Sequence, residues 1–422
     1  MSSLTLLMVT AIIFTGLTGC DQTPSPNAER PGKTVTLPSS APAISLEVDD
    51  PRFAQIEVAA QEEIDAGHIP GAVVLVGHRG RIVYRKAFGQ RCLEPQCQPM
   101  TVDTIFDIAS LTKVVATTTA IMQLWDRGLL SIDDPVVKYW PEFGQNEKDG
   151  ITIRQILTHT SGFRVEINPR TCWSDYQGAL KAIAMDRPLH PPGTGFRYSD
   201  VNFIVLGEVV RRVSGQYLNA YCTEKIFKPL KMRQTSFCPP DTWQAQTAPC
   251  NVVNGHLQWG EVQDPIACRL GGVAGHAGVF STADDLAAFA QMLLDGGEAR
   301  GERILSRKAV AAMTKPQNTS KSVIRRGLGW DIKSPLSKAF NASFPAGSFG
   351  HTGYTGTSIW IDPSSQTYLI ILTNRLHPAG KGQVKTLRVK IAAAVAAAVP
   401  TGPPTGAIDE DALTPTPINP AP

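Results

Sequence analysis

The sequence predicts an α+β fold in which strands from both ends of the chain build one antiparallel sheet and a helical region is inserted between them. Three observations carry this reading. Strand-like segments flank turn sequences near one end, at residues 72–77 and 81–89, and near the other, at 357–361 and 367–373. The middle of the chain is dominated by apolar residues at helical spacing. The 422 residues, 42% of them hydrophobic, suffice for one large domain or two ordinary ones.

Each element follows from its pattern. Residues 50–66 read as an amphipathic helix with Phe53, Ile56, Ala60 and Ile64 on one face, and Pro70-Gly71 ends it. His78-Arg79-Gly80 between two β-rich runs reads as a hairpin. A helix carrying Ser110 and Lys113 is expected to run to about residue 126. Further helices are expected at 151–157, 176–184, 200–214 and 281–294, the last opening on Ser281-Thr282-Ala283-Asp284, close to a capping box. Asp362-Pro363-Ser364-Ser365-Gln366 reads as the turn of a second hairpin, and 385–399 as an Ala-rich helix. The site is expected in the cleft between sheet and helical region.

Composition excludes several function classes. Net charge is only +3, and Lys and Arg are dispersed, so no nucleic-acid partner is expected. The chain has no His-Glu-x-x-His, Cys-x-x-Cys or EF-hand loop, so no metal or other cofactor is expected. Nor does it have a Gly-x-Ser-x-Gly elbow.

The termini read as targeting and tether. Residues 1–19 form an apolar leader ending Leu17-Thr18-Gly19, and Cys20 follows as the residue to be lipidated. No Lys or Arg precedes the apolar run, and an uncleaved anchor is the competing reading. Residues 20–50 read as a lipid-anchored linker with Pro24, Pro26, Pro31, Pro38 and Pro42; 399–422 read as a disordered tail. The domain between them spans 51–398. Of eight cysteines, seven remain after Cys20; Cys92 and Cys97 are the easiest local disulfide, and Cys222, Cys238, Cys250 and Cys268 are candidates to pair among themselves.

The chemistry is carried by three boxes in order. Ser110-Leu111-Thr112-Lys113 is the chain's single Ser-x-x-Lys. Three residues apart on a helix, the lysine reaches the hydroxyl, and a serine becomes nucleophilic when a neighbouring base takes its proton. Tyr198-Ser199-Asp200 and His351-Thr352-Gly353 follow. Taken singly, each box has a plainer reading: a helix cap, a capped helix start, a Gly-rich turn.

With their flanks these boxes resemble the penicillin-recognising serine hydrolases: class C β-lactamases, D-Ala-D-Ala carboxypeptidases and related esterases. The resemblance covers about residues 51–398. It rests on Phe106-Asp107-Ile108-Ala109-Ser110-Leu111-Thr112-Lys113, Leu157-Thr158-His159-Thr160-Ser161-Gly162, Tyr198-Ser199-Asp200-Val201-Asn202-Phe203, Gly271-Gly272-Val273-Ala274-Gly275-His276-Ala277-Gly278 and the box at His351. It implies a β-lactamase/transpeptidase-like fold with Ser110 as nucleophile and with Lys113 and Tyr198 sharing general-base duty. It also implies an oxyanion hole from the Ser110 and Tyr354 backbone N–H groups, and substrate binding at His351, Thr352, Gly353 and Asp200. His159 and His276 read as structural.

Two departures qualify this. Asp200 stands where the family often has Asn; it either faces the cleft, where it would repel a carboxylate, or caps the following helix. His351 stands where most β-lactamases have Lys, and a histidine there would make carboxylate binding pH-dependent. The function implied is an exported, membrane-anchored serine hydrolase facing the periplasm, of D-Ala-D-Ala carboxypeptidase or β-lactamase-related type. Its substrate is then a peptidoglycan stem peptide, a β-lactam or an ester. A carboxylesterase, and a penicillin- or wall-fragment-binding protein with poor turnover, are the alternatives.

Overall fold

Eight strands form one antiparallel sheet in a computed structural model that describes residues 50–318 and 323–399. The expected leader, Cys20 and nearly all of the expected linker and tail lie outside those residues. The strand order is Arg325–Arg326, Asp331–Lys333, Phe349–Thr352, Ser358–Asp362, Thr367–Leu372, Gly71–His78, Arg81–Cys92 and Gln98–Pro99. The two ends of the chain meet at the centre, where Val73 pairs with Leu372 and His78 with Thr367. Both central strands are buried almost throughout, as apolar runs covered on both faces must be.

Alternation sorts these residues between two cores. Val74, Val76, Leu369 and Ile371 face the helices Ala54–Asp65 and Lys385–Ala398, with Ile56, Leu387 and Ile391 in the same cluster. Val73, Leu75, Ile370 and Leu372 face the inserted helical region, joining Leu286 and Phe289. Each such side chain fully buried contributes roughly 1.5–3 kcal/mol of transfer free energy. Arg79 and Gly80 both take left-handed φ (49° and 77°), the two-residue turn that matches strand twist, so the first hairpin forms as expected.

The inserted helices start where caps allow. Thr152 and Gln155 form a reciprocal capping box on Ile153–Leu157, Asp175 caps Tyr176–Met185, and Ser199 caps Asp200–Ser214. Thr282 caps Ala283–Leu294, two residues later than the sequence suggests, because Val279–Ser281 is a strand. That strand lies between Phe106–Asp107 and Ser236–Phe237 in a small three-stranded sheet, the first of these strands just before Ser110.

Two expectations are corrected. The helix bearing Ser110 is not continuous: Ala109–Leu111 is a 3-10 turn, Lys113–Thr118 is π-helical, and only Thr119–Asp126 is α. Val114, Val115, Thr117, Thr118 and Thr119 are β-branched, and two of their hydroxyls bond outside the regular ladder, Thr119 to the Val114 carbonyl (2.8 Å) and Thr117 to that of Gly275 (2.6 Å). The expected disulfides are absent as well. All seven described cysteines are free; Cys92 is buried with its thiol on the Glu94 carbonyl at 2.9 Å, while Cys97 is exposed. Among the described residues no helix is long and apolar enough to cross a membrane.

Candidate active site

Ser110 sits on a strained turn. Ala109, immediately before Ser110, has φ of 47°, a left-handed conformation that costs a β-carbon residue about 1–2 kcal/mol. Asp107 holds it there: Oδ1 accepts from the Ala109 N–H (2.8 Å) and Oδ2 from the Gln263 N–H (2.7 Å). Burial pushes the Asp107 carboxyl up to about 6, while those two N–H bonds work the other way. The turn is also stitched to the sheet, since Thr355 donates to the Asp107 carbonyl (2.8 Å) and Thr357 to that of Ile108 (3.0 Å).

Lys113 is fully buried one turn further on. Its Nζ lies 3.0 Å from Ser110 Oγ, 3.0 Å from the His276 carbonyl and 2.7 Å from Asp200 Oδ1. An ammonium has three N–H donors, and here three oxygens surround it. Burial alone would depress this amine, yet the charge of Asp200 and the hydroxyl of Tyr198 outweigh it and hold Lys113 above its ordinary range. The ammonium also lies 5.0 Å from the Tyr198 ring centre.

Asp200 corrects both alternatives left open by the sequence. Ser199, not Asp200, caps the following helix, and Asp200 stands in its first turn with its carboxylate on Lys113 rather than along the cleft. So paired, it offers a substrate carboxylate little to repel. Behind it, His276 Nε2 meets Asp264 Oδ1 at 2.9 Å; burial opposes ionisation of Asp264, but this bond and the imidazole beside it hold its carboxyl at about 2. Ligand atoms of Asp200, Asp264 and His276 come within 4.8 Å of one another, the spacing of a cation site. The Lys113 ammonium already supplies a positive charge to Asp200 there, so the cluster does not call for a metal.

His159 takes the structural role expected of it. It is buried, stacks on Tyr198 with ring centres 4.5 Å apart, and accepts from the Ser199 N–H at Nδ1 (3.1 Å). Burial, with Arg326 and Lys113 nearby, keeps it well below its ordinary pKa and therefore neutral. It braces the ring of Tyr198.

The cleft over Ser110 has a volume of about 490 Å³ and is lined by Ser110, Tyr198, His351, Thr352, Gly353 and Tyr354, with Arg375 and Arg388 on its far side. Gly353 is obligatory: a β-carbon there would stand 2.7 Å from the Ile108 carbonyl and 2.1 Å from Thr357 Oγ1. That close approach brings Gly353 against the turn bearing Ser110, and no protein acceptor takes the N–H of the following Tyr354 among the described residues. It is free to serve with the Ser110 N–H as an oxyanion hole.

His351 lines this cleft but is not the standing cation that an imidazolium reading requires. It is 2% exposed, its Nδ1 lies 2.9 Å from the Thr352 carbonyl, and Nε2 has no partner among the described residues. Burial first, then the charges of Arg326 and Lys113, hold its pKa well below the usual histidine range. At neutral pH it presents an uncharged ring whose Nε2 accepts.

Fixed charge comes instead from two arginines that the sequence reading did not name. Arg388, on the Lys385–Ala398 helix, donates from Nη2 to the Thr357 carbonyl (2.8 Å), and its Nε has no partner among the described residues. Burial lowers its pKa to about 9, which leaves it cationic at neutral pH. Arg375 donates to the Tyr354 carbonyl at 2.8 Å. The one available signal was a pair of arginines just after the His-Thr-Gly hairpin and inside an otherwise Ala-rich helix. A second cavity, about 510 Å³, is lined by Asp175, Tyr176, Tyr217 and the 273–275 loop, and none of Ser110, Lys113, Tyr198 or His351 lines it.

The chain is similar to known proteins in sequence and in fold. The Beta-lactamase family profile matches residues 54–394. A protein of Escherichia coli K12, provisionally named a D-alanyl-D-alanine carboxypeptidase, is 31% identical over 363 residues, covering 77% of this chain and 83% of its own. A Salmonella schwarzengrund protein of the same name is 31% identical over 368 residues, 78% of this chain and 84% of its own. Among solved structures, EstCE1, described as a hydrolase with promiscuous acyltransferase activity, is 25% identical, with a TM-score of 0.69 over 83% of this chain and 100% of that one. A penicillin-binding protein homologue from Caulobacter crescentus has a TM-score of 0.69 at 24% identity, covering 83% and 98% of the two chains. A class C β-lactamase from Rhodobacter sphaeroides has 0.66 at 22%, covering 81% and 98%. The span of the profile and these relatives together make the chain a member of the beta-lactamase family, a serine hydrolase with a β-lactamase/transpeptidase-like fold.

Proposed function

We propose that this protein is an exported, lipid-anchored D-Ala-D-Ala carboxypeptidase acting through a Ser110 acyl-enzyme. The Ser110 hydroxyl attacks the scissile carbonyl; the bond from Oγ to that carbon forms as the bond to the leaving amine breaks. The serine proton passes through the Lys113–Tyr198 pair to the leaving nitrogen, and water later releases the acyl group by the reverse transfer. The Ser110 and Tyr354 N–H groups hold the oxyanion.

The observation that carries the substrate class is the guanidinium of Arg388 in the cleft that also holds Ser110. A group that stays cationic at neutral pH suits a substrate ending in a carboxylate, as a D-Ala-D-Ala peptide does. The names of the enteric relatives agree with this. The uncharged His351 and the likeness to EstCE1 favour an esterase as the second reading.

Arg388→Met separates them. A hydrogen bond to a charged group is worth about 1.5–3 kcal/mol, so kcat/KM on a D-Ala-D-Ala peptide is expected to fall roughly 10- to 100-fold. Turnover of p-nitrophenyl acetate should stay within about threefold, because that ester carries no carboxylate. Equal losses on both would make Arg388 a brace of the 353–357 turn and move the assignment to the esterase.

A further inference from the structure

We propose that Asp200 is a positioning residue that holds Lys113 as an ammonium in the resting enzyme, so that Ser110 acylation begins at a higher pH than it would with an amide at position 200. This rests on the reading of Ser110 as nucleophile and Lys113 as part of its base.

The argument is geometric. Lys113 Nζ faces the Ser110 hydroxyl, the His276 carbonyl and the Asp200 carboxylate within 3.0 Å. A neutral amine has two N–H groups and a lone pair, so it satisfies two of these oxygens and can accept the serine proton with the third position. An ammonium donates to the serine hydroxyl and the His276 carbonyl, pairs its charge with Asp200, and has no lone pair with which to accept. Of the three oxygens only Asp200 carries charge, and its side chain is 17% exposed, so water screens the pair weakly. The active form therefore arises when Lys113 gives up one proton to solvent, and Asp200 makes that loss harder.

Other titratable groups face this pair from every side. Tyr198 lies on the turn before the Asp200–Ser214 helix, Asp264 and His276 on the segment behind, His159 against Tyr198, and His351 on the sheet. Burial keeps His159 and His351 neutral, and the bond to His276 keeps Asp264 ionised, so these three do not change charge in the neutral range in Asp200's place. Asp107 and Arg326 complete the shell, through Asp264 and through the two histidines.

The test is the pH dependence of Ser110 labelling by a fluorophosphonate, in the parent, Asp200→Asn and Asp200→Glu. Removing an opposite charge at this range moves a pKa by about 1–3 units. In Asp200→Asn the acid limb of labelling should move down by at least about one unit, which is tenfold faster labelling below the parent's limb. Asp200→Glu, which keeps the charge, should leave the limb near that of the parent. A limb that does not move in Asp200→Asn, even with a uniform loss of rate, overturns the proposal and makes Asp200 structural. A second measurement stands apart from catalysis: the 13Cε resonance of Lys113 in lysine-labelled protein should titrate at lower pH in Asp200→Asn. The same titration in both proteins overturns the proposal even if Ser110 is labelled. Parent protein that is never labelled, with a Lys113 titration that does shift, overturns the Ser110 reading and the acylation half of this proposal with it.

Discussion

Ser110→Ala is expected to abolish labelling by fluorophosphonates and by labelled penicillin, and to cut turnover of any substrate by about 10⁴-fold or more. The magnitude follows from the geometry. Ser110 is the hydroxyl on the Lys113 amine, and the strained Ala109 turn, the Asp107 bonds and the Gly353 approach all serve to aim it into the cleft. Removing one partly exposed oxygen leaves the turn's other bonds in place, so the melting temperature should stay within a few degrees of the parent. A residual rate near the parent's would mean that another group carries the reaction.

The second large effect concerns Lys113 and Tyr198. Lys113→Met and Tyr198→Phe should each reduce acylation by about 10²- to 10⁴-fold, and the double variant should be little worse than the poorer single one. Groups that pass one proton between them act as a unit, and the Tyr198 hydroxyl bears directly on the Lys113 amine. Lys113→Met also leaves the Asp200 carboxylate largely buried without its partner, which costs up to about 3–5 kcal/mol where a buried pair is broken. Lys113→Met with Asp200→Asn should therefore recover stability and no activity. Stopped-flow acylation rates and thermal melts on the same samples read both. Losses that multiply strictly in the double variant would show two independent roles.

Much of this site is legible in the sequence because it is written in local patterns. The Arg79-Gly80 hairpin and the Thr282 cap are turn and cap chemistry, and the sequence shows them to within two residues. The central strands show as apolar runs because both faces are covered. Ser110, Lys113, Tyr198 and the 351–354 turn meet as their boxes suggest, since helix spacing fixes the first pair and the fold brings the others to it. What the sequence hides is set by distant partners. The π-helical stretch depends on Thr117 reaching Gly275, and the position of Asp200 depends on a lysine 87 residues earlier in the chain. The charge on His351 depends on burial, which no motif states. Arg388 enters the cleft from a helix that reads only as core packing for the sheet.

The measurement closest to the central claim is peptide mapping by mass spectrometry after a rapid acid quench, on protein incubated with labelled penicillin and with a D-Ala-D-Ala peptide ester. The mechanism predicts an acyl adduct from each reagent on the peptide bearing Ser110, absent in Ser110→Ala and formed more slowly in Lys113→Met. An adduct on any other residue, or substrate turnover with no adduct on Ser110 at any quench time, would contradict it.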